Sequence, residues 1–217
     1  TADAGDVEKI SEVVAECKRM GIKVLPPSVN ESRGNFTVVD DHTIRFGLYS
    51  IKNFGEGVGD SIICERESGG KFTDISDFIG RIPDKNLNKK SLESLIQSGA
   101  LDDFEERGKL MANLEYMLEC HREQRKAPVD QGSLFGASAA QQIVKLKLET
   151  APPAPMDQLL GWEKELLGLY ISGHPLDKHK DKLAHAKNTI RHAKEHLKGV
   201  ETVIAGLVET SQPILTK

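Results

Sequence analysis

The stretch LYSIKNFGEGVGDSII, Leu48–Ile63, sets the architecture of the central part of this chain. Its large apolar side chains recur at the spacing of two short helices, and the sequence between those helices is Asn53-Phe54-Gly55. Asparagine and glycine favour a tight turn because both tolerate unusual backbone angles. We expect Phe54 to plug the turn into the core and Gly59 to let the two helices approach closely. The stretch therefore predicts a helical hairpin.

This spacing resembles the helix-hairpin-helix motif, in which a short turn presents backbone N–H groups to a phosphate of DNA. The N-terminus of the second helix adds the attraction of the helix dipole for an anion. Asn53 stands where that motif usually has glycine. Any helical hairpin with a glycine turn has the same pattern, so a plain helix corner stays open as an alternative. The residues that would contact phosphate are Lys52, Asn53, Phe54, Gly55, Glu56 and Gly57.

A second copy of the pattern follows in SLESLIQSGALDDF, Ser91–Phe104, with Ser98-Gly99-Ala100 as its turn. Paired hairpins can straddle the minor groove and touch the phosphates of both strands without contacting bases. Ala100 is smaller than the residue that usually plugs such a turn. Basic side chains near the two turns would assist, although each of them can equally be a solvated surface charge. They are Lys52, Lys89, Lys90, Arg107 and Lys109.

The rest of the pattern adds short helices and a few strands. An amphipathic helix over residues 6–20 and strands within IKVLPP, NFTVV and TIRFG predict a small α/β piece at the N-terminal side. Further helices are expected from near Asp74 to just before Pro83, from Asn88 to Ser98, from Glu105 to Gln124 and within DQLLGWEKELL. We therefore expect a fold that is mainly α with small β elements.

Residues 126–157 contain four of the nine prolines and predict a flexible linker with one ordered patch at IVKLKLE. In this linker Leu134 and Phe135 stand among small and polar residues, where nothing nearby would cover them. The sequence QGSLF resembles the bacterial sliding-clamp-binding peptide, in which a glutamine bonds to the rim of a pocket and Leu-Phe inserts. A local plug that pins the linker onto the helical bundle is the alternative. The peptide comprises Gln131, Gly132, Ser133, Leu134 and Phe135.

The formal net charge of −4 is unfavourable for a nucleic-acid binder, since such domains usually carry a basic surplus. Backbone amides would meet this difficulty because they contact phosphates without adding charge, provided that another contact holds the protein to DNA. No apolar run approaches the ~20 residues that span a bilayer, so no membrane partner is expected and the cytoplasm is the default location. Cys17, Cys64 and Cys120 lie too far apart for a zinc site or a disulfide framework.

Five segments together resemble the alpha subunit family of bacterial DNA polymerase III, the C-family replicative polymerases. They are ECKRMGIKVLPPSVNES, IRFGLYSIKNFGEGVGDSI, LNKKSLESLIQSGALDDF, DQGSLFG and LGLYISGHPLD. The resemblance implies a piece of a longer protein that runs from the end of the fingers to the start of an OB-fold, with TVIAGLVETSQPILTK as its first strand. The implied domains are 1–43, the end of the fingers; 44–125, the tandem helix-hairpin-helix domain; 126–157, the linker with the clamp peptide; 158–198, a helical connector; and 199–217, the start of the OB-fold.

The resemblance also implies partners and cofactors. Duplex DNA, the sliding clamp and other replicase subunits are the expected partners. The catalytic carboxylates of the family belong to a palm domain that precedes this stretch, so no catalytic residue, cofactor or metal is expected here, whereas Mg²⁺ is expected for the whole polymerase. This segment alone should not incorporate nucleotides.

Two clusters could suggest metal chemistry. The acidic residues Asp102-Asp103 and Glu105-Glu106 could form a metal pair, but a charge cluster at a helix N-terminus is the simpler interpretation. His192 and His196 have a spacing that can bind zinc on a helix, yet the lysines interleaved with them favour a solvated basic surface.

Three functions stay open at this point. The first is a non-catalytic replicase segment that grips the DNA backbone and is tethered to the clamp. The second is a helix-hairpin-helix fragment of a repair enzyme, which would leave VLPPSVNES and GLYISGHPLD unexplained. The third is a purely structural helical module whose hairpins touch no DNA.

Overall fold

A computed structural model describes residues 10, 13, 14, 16, 17, 19–83, 86–126, 145–184, 190–197 and 199–208 of the chain. The chain divides into two compact units, Thr1–Ile171 and Ser172–Lys217. No helix among the described residues is long and apolar enough to cross a membrane.

The first unit begins with a small α/β piece. The described residues from Ile10 to Arg19 are helical. A three-stranded sheet follows, with β1 at Lys23–Leu25, β2 at Thr37–Asp40 and β3 at Thr43–Arg45, in the order β1-β3-β2. Strand β3 is parallel to β1 and antiparallel to β2, and an irregularity interrupts the β2 register between Val38 and Asp40.

A helical bundle fills the rest of the first unit. After a one-turn 3-10 helix at Leu48–Ser50, the α-helices are α1 at Glu56–Gly69, α2 at Ile75–Arg81, α3 at Lys89–Gln97, α4 at Arg107–Ala112, α5 at Leu114–Lys126 and α6 at Met156–Leu167. Helix α3 is central, since it packs against α4, α5 and α6. Its start is at Asn88, as the sequence predicts, and a capping box between Asn88 and Ser91 defines it. The expected fold class, mainly α with small β elements, is confirmed.

The single helix expected from Glu105 to Gln124 is two helices, with the break at Asn113. The Asn113 amide group is the physical reason for this break. Its Nδ2 donates to the carbonyl oxygens of Lys109, at 2.8 Å, and of Glu149, at 3.0 Å, while its Oδ1 accepts from the Glu149 N–H at 2.9 Å. An asparagine that bonds to backbone groups in this way competes with helix continuation.

Residues 145–155 lie along the bundle rather than away from it. The Leu146 N–H donates to Ser76 Oγ at 2.9 Å, and the Leu146 side chain is buried. The Ala154 N–H donates to a carboxylate oxygen of Glu106 at 2.9 Å. The ordered patch expected at IVKLKLE is therefore longer than predicted and continues into α6. Residues 145–155 are packed on the bundle and are not part of a flexible linker, which corrects the prediction for this part of 126–157.

The second unit contains a 3-10 helix at Pro175–His179, α7 at Lys180–Ala184 and α8 at Ile190–His196. The strand expected within TVIAGLV is wrong for the residues described, because residues 200–208 carry no regular structure. A strand needs hydrogen bonds from a neighbouring strand, and no described residue of this unit supplies them. Among the residues of the second unit whose exposure the structure gives, none is buried.

Candidate nucleic-acid interface

The first hairpin forms where the sequence predicts it, between the 3-10 helix and α1. Asn53 lies at its tip with a φ of 64°, the left-handed conformation that asparagine tolerates better than most residues. Phe54 is buried below the tip, as expected for the plug. The Lys52 N–H donates to the carbonyl oxygen of Leu166 at 2.9 Å, which joins the turn to the last turn of α6. The tip is therefore fixed by the buried Phe54 side chain and by the hydrogen bond to α6.

Three consecutive residues at the start of α1, Gly55, Glu56 and Gly57, are exposed to solvent. Gly55 precedes the helix without a side chain that could cap it. The first amides of a helix have no acceptor within the helix. No other described residue accepts a hydrogen bond from these three amides. They lie at the positive end of a helix of 14 residues, an arrangement that suits an anion.

Gly55 and Gly57 have no internal reason to be glycine. A methyl group built on either residue meets no atom within 4 Å, and neither residue has a positive φ. Glycine in a helix costs about 0.5–1 kcal/mol relative to alanine. By contrast, a methyl group on Gly34 would lie 2.2 Å from the ring of Tyr49. The fold therefore leaves the space beside Gly55 and Gly57 open to a group from outside.

Tyr49 connects the hairpin to the loop that precedes it. Its ring lies against Gly34 on one side and Gly59 on the other, where a methyl group would lie 2.8 Å from the ring. Because Tyr49 belongs to the 3-10 helix, Gly59 lets α1 approach that helix closely, as the sequence predicts. The Tyr49 hydroxyl donates a hydrogen bond to Asp60, and this bond raises the pKa of Tyr49 to about 12.

A half-buried arginine, absent from the site residues predicted above, fixes the loop VNES against α1. Arg66 donates to the carbonyl oxygens of Val29, at 2.7 Å, and Ser32, at 2.9 Å. Burial lowers the pKa of Arg66. The hydroxyl of Ser32 in turn donates to the carbonyl oxygen of Phe46 at 2.7 Å, two residues before the 3-10 helix of the hairpin. No local sequence pattern marks Arg66, because its partners are distant backbone atoms.

The second hairpin is part of the core, which corrects the role predicted for Ser98, Gly99 and Ala100. All three residues are buried. Their N–H groups donate to carbonyl oxygens of α3, at 3.0 Å for Ser98, 3.1 Å for Gly99 and 3.0 Å for Ala100. The carbonyl oxygen of Ala100 also accepts from the Val29 N–H at 3.0 Å. This turn therefore presents no amide to a phosphate.

Arg107, predicted to contact DNA, is also in the interior, with only 5% of its side chain exposed. Its guanidinium forms ion pairs with Asp102 at 2.7 Å and with Glu163 at 3.1 Å. Glu163 is fully buried, and its second carboxylate oxygen accepts from the Ile171 N–H at 2.8 Å. Burial raises the pKa of Asp102, although Arg107 acts in the opposite direction. This ion cluster fastens α6 to the bundle and leaves Arg107 no role at a surface.

The predicted lysines differ from one another in their surroundings. Lys89 is paired with Glu115 and Lys109 with Glu105. Lys52 and Lys90 are exposed and form no ion pair with a described residue. Only these two of the five basic candidates are available as uncommitted surface cations.

The acidic residues before α4 have different roles, and Glu106 acts at the helix N-terminus as the simpler interpretation expects. Glu106 caps α4, accepting from the Lys109 N–H at 3.0 Å, and Asp103 accepts from the Ser28 hydroxyl at 3.0 Å. In the described part of the chain, no three His, Cys, Asp or Glu side chains come together as metal ligands. The rings of His192 and His196 lie 4.9 Å apart. The peptide Gln131–Phe135 lies outside the described residues.

Residues 21–110 match the family model described as the helix-hairpin-helix motif. This range begins before β1 and includes both hairpins. The chain thus contains a helix-hairpin-helix module, and that is the class of protein that the first unit defines.

The chain is also similar over most of its length to DNA polymerase III subunit alpha of several bacteria. The Borreliella burgdorferi protein is 42% identical over 184 residues, which are 83% of this chain and 16% of that protein. The Thermus aquaticus protein is 37% identical over 208 residues, 94% of this chain and 17% of that protein. The Escherichia coli K12 protein is 35% identical over 222 aligned residues, 100% of this chain and 19% of that protein. The resemblance to this family is confirmed, and the chain spans less than a fifth of the length of these relatives.

Proposed function

We propose that this chain is the part of a cytoplasmic bacterial replicative DNA polymerase that holds duplex DNA by its backbone, through the hairpin Leu48–Ile63. The proposal rests on the backbone amides of the exposed residues Gly55, Glu56 and Gly57. The fold does not require glycine at position 55 or 57. A phosphate oxygen can approach a bare glycine amide more closely than one shielded by a side chain.

Contact by backbone amides suits a protein that must slide on the duplex it has just made. Phosphate contacts position a protein without carrying sequence information. Because the second hairpin is buried, only the first turn and the neighbouring Lys52 would contact the DNA backbone. The expected binding is therefore weak and has a shallow salt dependence. For the second hairpin itself, burial favours the purely structural alternative.

Gly57→Ala tests the phosphate site. Because Cβ atoms in a helix tilt toward its N-terminus, the new methyl group would point at the proposed phosphate position. We expect duplex affinity to fall about tenfold, the loss of roughly one charge-assisted hydrogen bond. Stability should be unchanged or rise by about 0.5–1 kcal/mol.

The matched control is Gly161→Ala, another exposed helical glycine, where an added methyl group would also meet no atom within 4 Å. It should produce the same gain in stability and leave duplex affinity unchanged. Equal affinities for the two variants in a fluorescence anisotropy titration would refute the phosphate site.

The clamp peptide Gln131–Phe135 is the second part of the proposal. A weak, sequence-independent grip needs another contact to keep the polymerase on DNA, and two large apolar anchors suit a pocket on the ring-shaped clamp. The nucleotide transfer itself, with its Mg²⁺ ions and its other subunits, we assign to parts of the polymerase outside this chain.

Replacing both anchors, Leu134→Ala with Phe135→Ala, should abolish clamp binding, since each anchor of this kind contributes ~2 kcal/mol or more. Gln131→Ala should weaken binding less, because it removes a hydrogen bond rather than buried apolar area. Calorimetry with purified clamp, beside a thermal melt, is the measurement. Unchanged clamp affinity together with a lowered melting temperature would favour the local plug instead.

A further inference from the structure

The loop before β2 is fastened by its backbone to the start of the first hairpin. The Leu48 N–H donates to the carbonyl oxygen of Arg33 at 3.0 Å, and the Tyr49 N–H donates to that of Gly34 at 2.9 Å. A methyl group on Gly47 would lie 2.5 Å from the Gly34 carbonyl oxygen, so the two segments are packed without space between them. The backbone of Arg33 is therefore held in a fixed place beside the hairpin.

The fold uses the backbone of Arg33 and leaves its side chain to solvent. Arg33 is exposed, and its guanidinium forms no ion pair or hydrogen bond with a described residue. By contrast, Arg45 is paired with Glu31 and Arg81 with Asp77. An unpaired surface cation contributes little to folding, so the Arg33 side chain is available to an external anion.

The cations around this loop are only partly matched by carboxylates. Arg45 and Lys71 share a single carboxylate, that of Glu31. The hydrogen bonds of Arg66 go to backbone carbonyl oxygens, which carry no net charge. Positive charge therefore remains on this side of the hairpin.

Arg33 adds its own charge to that surface. Burial lowers the pKa of Arg66, and the positive charge of Arg33 acts in the same direction, whereas Glu67 and Glu31 oppose it. The guanidinium groups of Arg33 and Arg66 thus lie close enough to repel each other, and an anion bound beside them would relieve this repulsion. The basic flank of the hairpin consists of Arg33, Arg45, Arg66 and Lys71, with Glu31 and Glu67 among them.

Tyr49 connects the basic flank to the first turns of α1. Its ring lies against Gly34, the neighbour of Arg33, and against Gly59, two residues beyond Gly57 in α1. A strand of DNA presents a row of phosphates, so a cation beside the hairpin can bind a phosphate other than the one at the amides.

We propose that Arg33 binds a further phosphate of the DNA held by the first hairpin. The planar guanidinium offers two parallel donors, which match two phosphate oxygens better than a lysine ammonium does. The inference rests on the proposed function, because it adds a charged contact to the backbone amides of Gly55, Glu56 and Gly57. Unlike those amides, Arg33 contributes to the salt dependence of binding, since a cation that neutralises a phosphate releases its counterion.

The test is Arg33→Gln in the whole 217-residue chain. Its matched control is Arg122→Gln, which removes the same charge from α5. Arg122 is also exposed and also forms no ion pair or hydrogen bond with a described residue. Binding to random-sequence duplex is measured by fluorescence anisotropy over a series of salt concentrations, beside a thermal melt of each variant.

We expect Arg33→Gln to lower the salt slope on duplex by about 0.9, the loss of one phosphate contact, and to leave the melting temperature unchanged. Arg122→Gln should leave the slope close to that of the parent chain. Arg33→Lys should keep the slope, because the charge remains, while affinity falls in part with the loss of the second donor.

Gly57→Ala separates a failure of this inference from a failure of the hairpin site. Equal slopes for Arg33→Gln and Arg122→Gln, while Gly57→Ala still lowers affinity, would overturn the role of Arg33 and leave the hairpin site standing. Unchanged binding in both Arg33→Gln and Gly57→Ala would refute the hairpin site itself. Polyglutamate that displaces duplex as strongly as DNA of equal charge would overturn the assignment of Arg33 to phosphate and favour an acidic polypeptide.

Discussion

Asn53 shows how a single residue satisfies the geometry of the hairpin tip. The position requires a left-handed backbone, with φ at 64°, and asparagine adopts it at lower cost than other side chains of its size. The departure from the usual glycine therefore leaves the turn intact. It also places a polar side chain, exposed to solvent, beside the free amides of α1.

Tyr49 is a second residue whose surroundings make a measurable prediction. Its hydrogen bond to Asp60 favours the protonated phenol, so its pKa rises from the usual value of about 10 to about 12. A group whose pKa is raised by folding stabilises the fold fully below its unfolded pKa. This contribution should therefore be complete below about pH 10 and be lost as the pH rises toward about 12.

A titration of tyrosinate absorbance checks this prediction, with Tyr49→Phe subtracted to remove Tyr116 and Tyr170. Asp60→Asn is the control, because it removes the negative charge and should return the Tyr49 pKa toward its usual value. A difference titration of the parent chain centred near pH 10 would contradict the hydrogen bond.

At the scale of elements, α6 depends on one buried ion cluster. Arg107 joins the start of α4 to Glu163 in the middle of α6, and it also donates to the carbonyl oxygen of Gln97 at 3.3 Å. Because the Lys52 amide bonds to the last turn of α6, the position of this helix also affects the hairpin.

Arg107→Met should destabilise the chain by ~3–5 kcal/mol, since it leaves the Glu163 carboxylate buried without its partner. Lys89→Met, which breaks the exposed pair with Glu115, should destabilise the chain far less, because water already solvates both charges. Urea unfolding of both variants is the measurement.

Adding Glu163→Met to Arg107→Met should restore part of the loss, because the uncompensated charge is then removed. Similar midpoints for Arg107→Met and Lys89→Met would show that the cluster contributes little.

At the scale of the whole molecule, the positions of the helices were largely predictable from the sequence. Which of the predicted site residues are exposed was not. Local chemistry placed the helices: Asn88 and Asp74 cap their starts, and the tip of the first hairpin lies at Asn53-Phe54-Gly55. The break at Asn113 was missed because its cause, the backbone of Glu149, is distant in sequence.

The two hairpins look alike as sequences, and only packing distinguishes them. Periodicity and turn residues are local properties, so the chain alone determines that a helical turn forms at Gly55 and again at Gly99. Exposure is a property of the assembled fold. The loop around Val29 and the cluster at Arg107 cover the second turn and use its hydrogen bonds, while nothing described covers the amides of Gly55 and Gly57. Tertiary contacts therefore decided which hairpin can meet a phosphate, because burial removes an amide from any external ligand.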